Sequence, residues 1–166
     1  QNREQQVHLS YAFLYVTDRE EGLILIGAGT LLDGDPDNNF LERAVTFNPG
    51  GALKGAMDCL VAGTHVYVVC DAGLVVVDVD DPLEPKIVAR SKPGELTGAR
   101  AIDLQLYYAF VADSEGLKVL DVSKLIRREP VEELLVVGRY VDKKKLPEAR
   151  SIYVSRGYGY LGGGPA

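Results

Sequence analysis

Val66-Tyr67-Val68-Val69-Cys70-Asp71-Ala72-Gly73-Leu74-Val75-Val76-Val77-Asp78-Val79 and Ala109-Phe110-Val111-Ala112-Asp113-Ser114-Glu115-Gly116-Leu117-Lys118-Val119-Leu120-Asp121-Val122 are two copies of one pattern. They align without a gap at an offset of 43 residues. Each is an apolar run, a short turn ending in glycine, and a second apolar run that closes on Asp-Val. A fixed period of roughly 40 to 50 residues built from short β-type runs is the signature of a β-propeller. This spacing decides the fold and is silent on activity.

The pattern extends both ways. Upstream, Tyr11 to Val16 precedes Gly22-Leu23-Ile24-Leu25-Ile26, a first copy with a longer hairpin. Downstream, Arg150 to Val154 and Tyr158 to Leu161 match Arg100 to Leu104 and Tyr108 to Val111 at an offset of 50. The repeats run at about 3–52, 53–98 and 99–148, with a half repeat at 149–166. Each whole repeat reads as four strands. In the third, they are expected near Ala101–Leu106, Tyr108–Ala112, Leu117–Val122 and Glu133–Tyr140. Gly116 supplies the positive φ of a hairpin turn. Asp80-Asp81-Pro82 breaks the chain before a fourth strand. No stretch carries a helical period, although Lys124 to Glu132 is long enough for a helical turn on the rim. The expected fold is all-β: a β-propeller segment of about three and a half four-stranded blades, incomplete as a single chain.

Val75-Val76-Val77 and Ile24-Leu25-Ile26 are apolar on both faces. A half-solvated sheet would alternate, so these strands read as sandwiched between neighbouring sheets. Gly73 to Pro82 and Gly116 to Ser123 resemble the core of the LVIVD repeat. The resemblance covers nearly the whole chain. It implies a propeller of the kind found in large bacterial and archaeal surface or secreted proteins, and no defined reaction. The first copy departs from it: Gly27 stands where Asp78 and Asp121 stand, and an insertion from Gly29 to Asn39 follows.

A propeller ring needs at least about four blades to close. Three and a half would leave bare sheet faces and unpaired edges. The chain begins at Gln1 and stops inside a hairpin. It is therefore expected to be a fragment of a longer propeller, or a piece closed by another chain. Its partners are then other protein chains or the remainder of its own propeller. The net charge of −6 argues against nucleic acid, whose phosphates select basic surfaces. No apolar run approaches the ~20 residues that span a bilayer.

Several residues invite chemistry. Asp33, Asp35 and Asp37 alternate in a Gly/Asn-rich loop, a pattern suited to calcium, which takes six to eight hard oxygen ligands. Asn38 stands where an EF-hand loop has glycine, and Ala44 where it has a bidentate glutamate; Glu42 is the nearest substitute. The competing reading is an acidic, solvated loop. Calcium is the one cofactor the sequence admits. Cys59 and Cys70 flank the Gly63-Thr64-His65 turn and read either as small buried apolar residues or as a cross-strand disulfide. Neither His8 nor His65 has ligand spacing to that pair. Arg3, Arg100 and Arg150 recur in register on the innermost strands. They form either an anion-binding ring at the channel mouth or ion pairs to the next blade's loops, at acids such as Asp78 or Asp121. Asp78 and Asp121 recur blade after blade, which points to Asx-turns rather than catalysis. Gly157 to Gly162 fits a dinucleotide pattern only formally, because no helix follows it. No serine has a nucleophile-elbow context.

The sequence thus points to a non-enzymatic scaffold or protein-interaction module, extracellular, at the cell surface or periplasmic. The alternatives are a calcium-dependent hydrolase with its site at the channel mouth, and a propeller domain of an extracellular redox assembly.

Overall fold

The structure is a computed structural model that describes residues 9–142 and 148–164. Its strands fall into four groups in chain order. The first sheet holds β1 (Phe13–Asp18), β2 (Gly22–Gly27) and β3 (Glu42–Phe47). The second holds β4 (Asp58–Ala62), β5 (His65–Cys70), β6 (Gly73–Asp78) and β7 (Lys86–Ser91). The third holds β8 (Ala101–Gln105), β9 (Tyr108–Asp113), β10 (Gly116–Asp121) and β12 (Val136–Tyr140). The last is the hairpin of β13 (Ala149–Ser155) and β14 (Tyr158–Gly163). All these pairings are antiparallel. Among the described residues the chain is all-β and no sheet closes on itself. This is consistent with an incomplete β-propeller, as the repeat predicts. The first strand expected for blade one, and Arg3, His8 and Lys143 to Lys145, lie outside the described residues.

Equivalent residues make equivalent bonds. Val79 N–H donates to Thr64 O at 2.8 Å, and Val122 N–H to Tyr107 O at 2.9 Å. Asp71 N–H reaches Lys54 O at 3.0 Å, and Ser114 N–H reaches Thr97 O at 2.9 Å. Each fourth strand carries one register shift against the third, between Leu25 and Ile26, Val76 and Val77, and Val119 and Leu120. Such bulges bend the outer strand and raise its twist. The glycine of each Gly-Leu pair sits at positive φ where the end of the fourth strand passes close. A Cβ on Gly22 would lie 2.8 Å from Phe47 O, and one on Gly116 would run into Tyr140 O.

The sheets pack face to face in order. Leu23 and Leu25 of blade one meet Val66, Val68, Val75 and Val77 of blade two. Tyr67, Val69, Leu74 and Val76 on the other face of blade two meet Ile102, Val111 and Leu120 of blade three. Ala101 and Ala112 meet Ala149, Ile152 and Leu161 of the half-blade. Leu74 and Val76 are therefore fully buried, whereas their equivalents Leu117 and Val119 are only half-buried beside the two-stranded half-blade. The same chemistry is buried or not according to what covers it.

Two details depart from expectation. The fourth strand of blade three is not continuous from Glu133 to Tyr140. β11 (Glu133–Leu134) leaves its own blade and pairs in parallel with Arg90 and Ser91 of β7. This covers the outer edge of blade two, where bare N–H and C=O groups would otherwise face solvent. A single helical turn, α1 (Ser123–Ile126), precedes it. The cysteine hairpin turns one residue earlier than a bridge requires: Ala62 pairs with His65, which sets Cys59 opposite Val68. Both thiols are free. They share the core between blades one and two, and burial pushes Cys59 up to about 11.

Candidate functional site

The innermost strands β4, β8 and β13 lie side by side, so their side chains control what the centre of the assembly offers. Two aspartates occupy this region. Asp58 Oδ2 accepts from Ile102 N–H of the next blade at 3.0 Å. Asp103 Oδ2 accepts from Val154 N–H of the half-blade at 2.6 Å. Each carboxylate thus latches its blade to the one that follows. The repeat did not reveal these latches, because Asp58 aligns with Ala101 and Asp103 with Leu60. The available signal was an acid placed within an otherwise apolar first strand.

Burial holds the Asp58 carboxyl above its ordinary value of 3.8, and the nearby Asp103 charge adds to the rise. A raised folded pKa means that stability linked to Asp58 is fully present below the unfolded value and is lost as pH rises through the folded one. Asp18, Asp33, Asp121 and Glu148 are shifted down and pull the other way, so the parent curve alone is uninformative. Asp58→Asn keeps an oxygen for Ile102 N–H and removes the charge. Relative to the parent, the variant should gain stability from pH 4 to pH 7 in denaturant melts. A constant difference across that range would show that Asp58 ionises without cost.

Just before β8 and within β13, Arg100 donates to Glu148 Oε2 at 3.1 Å and Arg150 to the same oxygen at 3.0 Å. The two guanidinium groups, Arg150 first, hold this exposed carboxyl below its usual range. The partner belongs to the segment entering the half-blade, not to Asp78 or Asp121. Arg100 also lines a cavity of about 310 Å³ with Arg19, Lys54, Met57 and Asp71. Asp78 and Asp121 close Asx-turns, accepting from Asp80 N–H at 2.9 Å and Ser123 N–H at 2.8 Å.

The acidic loop joins β2 to β3. Asp33 Oδ1 accepts from Asp35 N–H at 2.8 Å, and its Oδ2 from Asn38 Nδ2 at 2.8 Å. Asp35 Oδ1 accepts from Asp37 N–H at 3.0 Å and caps the short 3-10 turn Pro36–Asn38. Among the described residues no three His, Cys, Asp or Glu side chains are grouped to hold a metal ion. Asn38 Oδ1 is buried without a hydrogen-bond partner, but one neutral amide oxygen is far from the six to eight ligands calcium takes. Adding millimolar calcium is expected to leave the melting temperature unchanged. A rise that disappears in Asp35→Ala would establish the calcium reading, since a ligand bound only by the folded state must stabilise it.

A second cavity, of about 500 Å³, opens at the opposite end of the sheets between blades two and three. It is framed by His65, Asp78, Asp80 and the segment from Arg128 to Glu132. Nothing in the repeat marked it, because the segment after α1 has no counterpart in the other blades.

Among the described residues no helix is long and apolar enough to cross a membrane. No curated protein matches the chain. The LVIVD repeat family matches residues 54–92 and 99–125. Those stretches hold β5, β6, β9 and β10, the Gly-Leu turns and the Asx-turn aspartates; the first blade, with Gly27 in the aspartate's place, lies outside them. The chain therefore carries LVIVD repeats in its second and third blades, within an all-β architecture consistent with an incomplete propeller.

Proposed function

We propose that the chain is a scaffold segment of a larger propeller that presents loop surfaces to protein partners outside the cytoplasm, and that it is not a catalyst. One observation carries this reading: the repeated or central aspartates are committed to backbone N–H groups. Asp58 and Asp103 join blades, Asp78 and Asp121 close turns, and Asp113 caps a hairpin. Carboxylates held in this way stabilise architecture, whereas a general acid or base must face substrate. The setting outside the cytoplasm rests on the resemblance to surface and secreted LVIVD-repeat proteins.

The two ends of the series supply the places for further sheet. Leu14 and Val16 of β1 are exposed, as are Tyr153, Tyr158 and Tyr160 of the half-blade. Tyr153 and Tyr160 stand with ring centroids 6.2 Å apart. Apolar sheet faces of this kind mark sites for protein contact, here for the remaining blades or a partner chain.

The test is a turnover assay on activated carboxylic and phosphate esters, with and without calcium. The expected result is no rate above buffer. Calcium-dependent turnover that is lost in Asp103→Ala would overturn the proposal in favour of a hydrolase.

A further inference from the structure

The cavity between blades two and three has an apolar floor of Val88, Leu125 and Val131. Its rim carries Asp78, Asp80, Glu129 and Glu132 against Arg128. Burial holds the His65 imidazole below its ordinary value, so it adds no charge at neutral pH. The imbalance continues beyond the cavity. The third-to-fourth-strand loops of blades one and two, 28–41 and 79–85, emerge at the same end of the sheets. Apart from Asp80 they contain five acidic residues and no basic one, whereas the blade-three loop adds Lys124 and Arg127 at its own side of the cavity.

Beside this cavity the chain exposes apolar side chains. Leu106, in the turn between β8 and β9, is 80% exposed, and Ile126 at the end of α1 is 47% exposed. The two segments are joined: Val122 N–H donates to Tyr107 O at 2.9 Å, and the Arg127 guanidinium lies 5.5 Å from the centre of the Tyr107 ring. Leu106 has φ 54° and Arg128 φ 58°. The repeat equivalent of Leu106 is Gly63 at φ 61°, the residue type that adopts this conformation without strain. The half-blade has Arg156 at φ 51° in the same turn position, so the left-handed backbone belongs to the hairpin; what is particular to blade three is a solvent-facing leucine there.

We infer that this end of blades two and three docks a polypeptide segment that carries leucine-like side chains together with lysine or arginine. The apolar side chains lie on Leu106, Ile126 and the cavity floor, and the basic ones meet the carboxylate rim. The site gives a location and a partner chemistry to the interaction role, and rests on that role.

The experiment is fluorescence anisotropy of the whole chain with a fluorescein-labelled peptide of alternating lysine and leucine. A counterpart with serine for leucine serves as comparison. The leucine peptide should bind at least about tenfold more tightly than the serine one, because each buried aliphatic side chain is worth roughly that factor or more. Leu106→Ser and Glu129→Lys should each weaken binding about tenfold. Both positions are exposed, so the fold should tolerate the changes. Glu20→Lys, the same charge change at the opposite end, should leave affinity within about twofold, since charges that far away are screened. Equal losses in Glu20→Lys and Glu129→Lys, or no loss in Leu106→Ser, would overturn the site. Hydrogen exchange on the complex separates the two levels of the argument. Protection around Val16 and Tyr160 instead of Leu106 would sink this site and leave the interaction role standing. Absence of binding together with ester turnover would sink both.

Discussion

Asp113→Ala should unfold the chain at a markedly lower temperature than the parent. Asp113 is fully buried, and Lys118, facing it in the interface between blades two and three, is only 2% exposed. Asp113 Oδ1 accepts from Glu115 N–H at 2.9 Å and Gly116 N–H at 3.0 Å, and its Oδ2 from Thr97 N–H at 3.3 Å. Lys118 Nζ lies 3.7 Å from Asp113 and 2.5 Å from Glu115. Removing the acid strands three backbone donors and leaves the buried ammonium with Glu115 as its remaining carboxylate partner. Losing one partner of a buried pair costs about 3–5 kcal/mol, and each kcal/mol is worth about 2–4 °C in a domain of this size. Lys118→Met should cost less, because Asp113 keeps its three N–H donors. Blade two shows the alternative solution. There Cys70 and Val75 occupy the equivalent positions, and the sulfur faces the same two turn N–H groups. The double change Asp113→Cys with Lys118→Val should therefore recover most of the loss, since apolar replacement of a buried pair is often nearly neutral. A double variant no more stable than Asp113→Ala would show that the ion pair is not an isolated unit.

Gly116→Ala should be the next most damaging change. Gly116 has φ 142°, and an added Cβ would strike Tyr140 O in the segment that closes the blade. That neighbour is backbone held in the β10–β12 pairing and cannot swing aside. Overpacking and left-handed strain each cost about 1–3 kcal/mol. Gly63→Ala provides the comparison: its φ is 61° and nothing lies within 4 Å of the new atom. It should lose only the conformational penalty of about 1–2 kcal/mol. Denaturant midpoints of the two variants give the answer directly, and equal losses would mean that the contact with Tyr140 contributes nothing.

The repeat register made the blades legible. Gly73 and Gly116, the closing aspartates and the doubly apolar third strands each follow from a local rule, and each is where that rule puts it. What escaped was set between blades. β11 crosses to the edge of β7 because blade two's outer strand needs a partner, and no propensity within Glu133–Leu134 signals that. Asp58 and Asp103 latch neighbouring blades from non-equivalent positions, so alignment of the copies hides them. Lys118 was visible as a lysine where Val75 and Ile24 stand in the other blades, yet its partner Asp113 is identified only once the hairpin register is known. The cysteines failed as a facing pair by one residue of turn geometry, the kind of slip that changes every partner along a hairpin. The arginine at position 100 was placed correctly at a blade junction, but its partner, Glu148, stands where the other copies have Gly55 and Gly98, so the repeat does not announce it. The cavity near Arg128 is likewise built from the one loop that the repeat does not specify.

The central claim is that, among the described residues, blade two is a fully sandwiched sheet and the series is open at both ends. Strand-resolved hydrogen exchange on the monomeric chain tests it most directly, because protection tracks burial and cooperative packing. The account predicts the slowest exchange in β5 and β6, intermediate rates in β9 and β10, and rapid exchange along the outer edge of β14. Equal protection in β14 and β5 would contradict it, since that result requires the half-blade to be completed and the series to close within these residues.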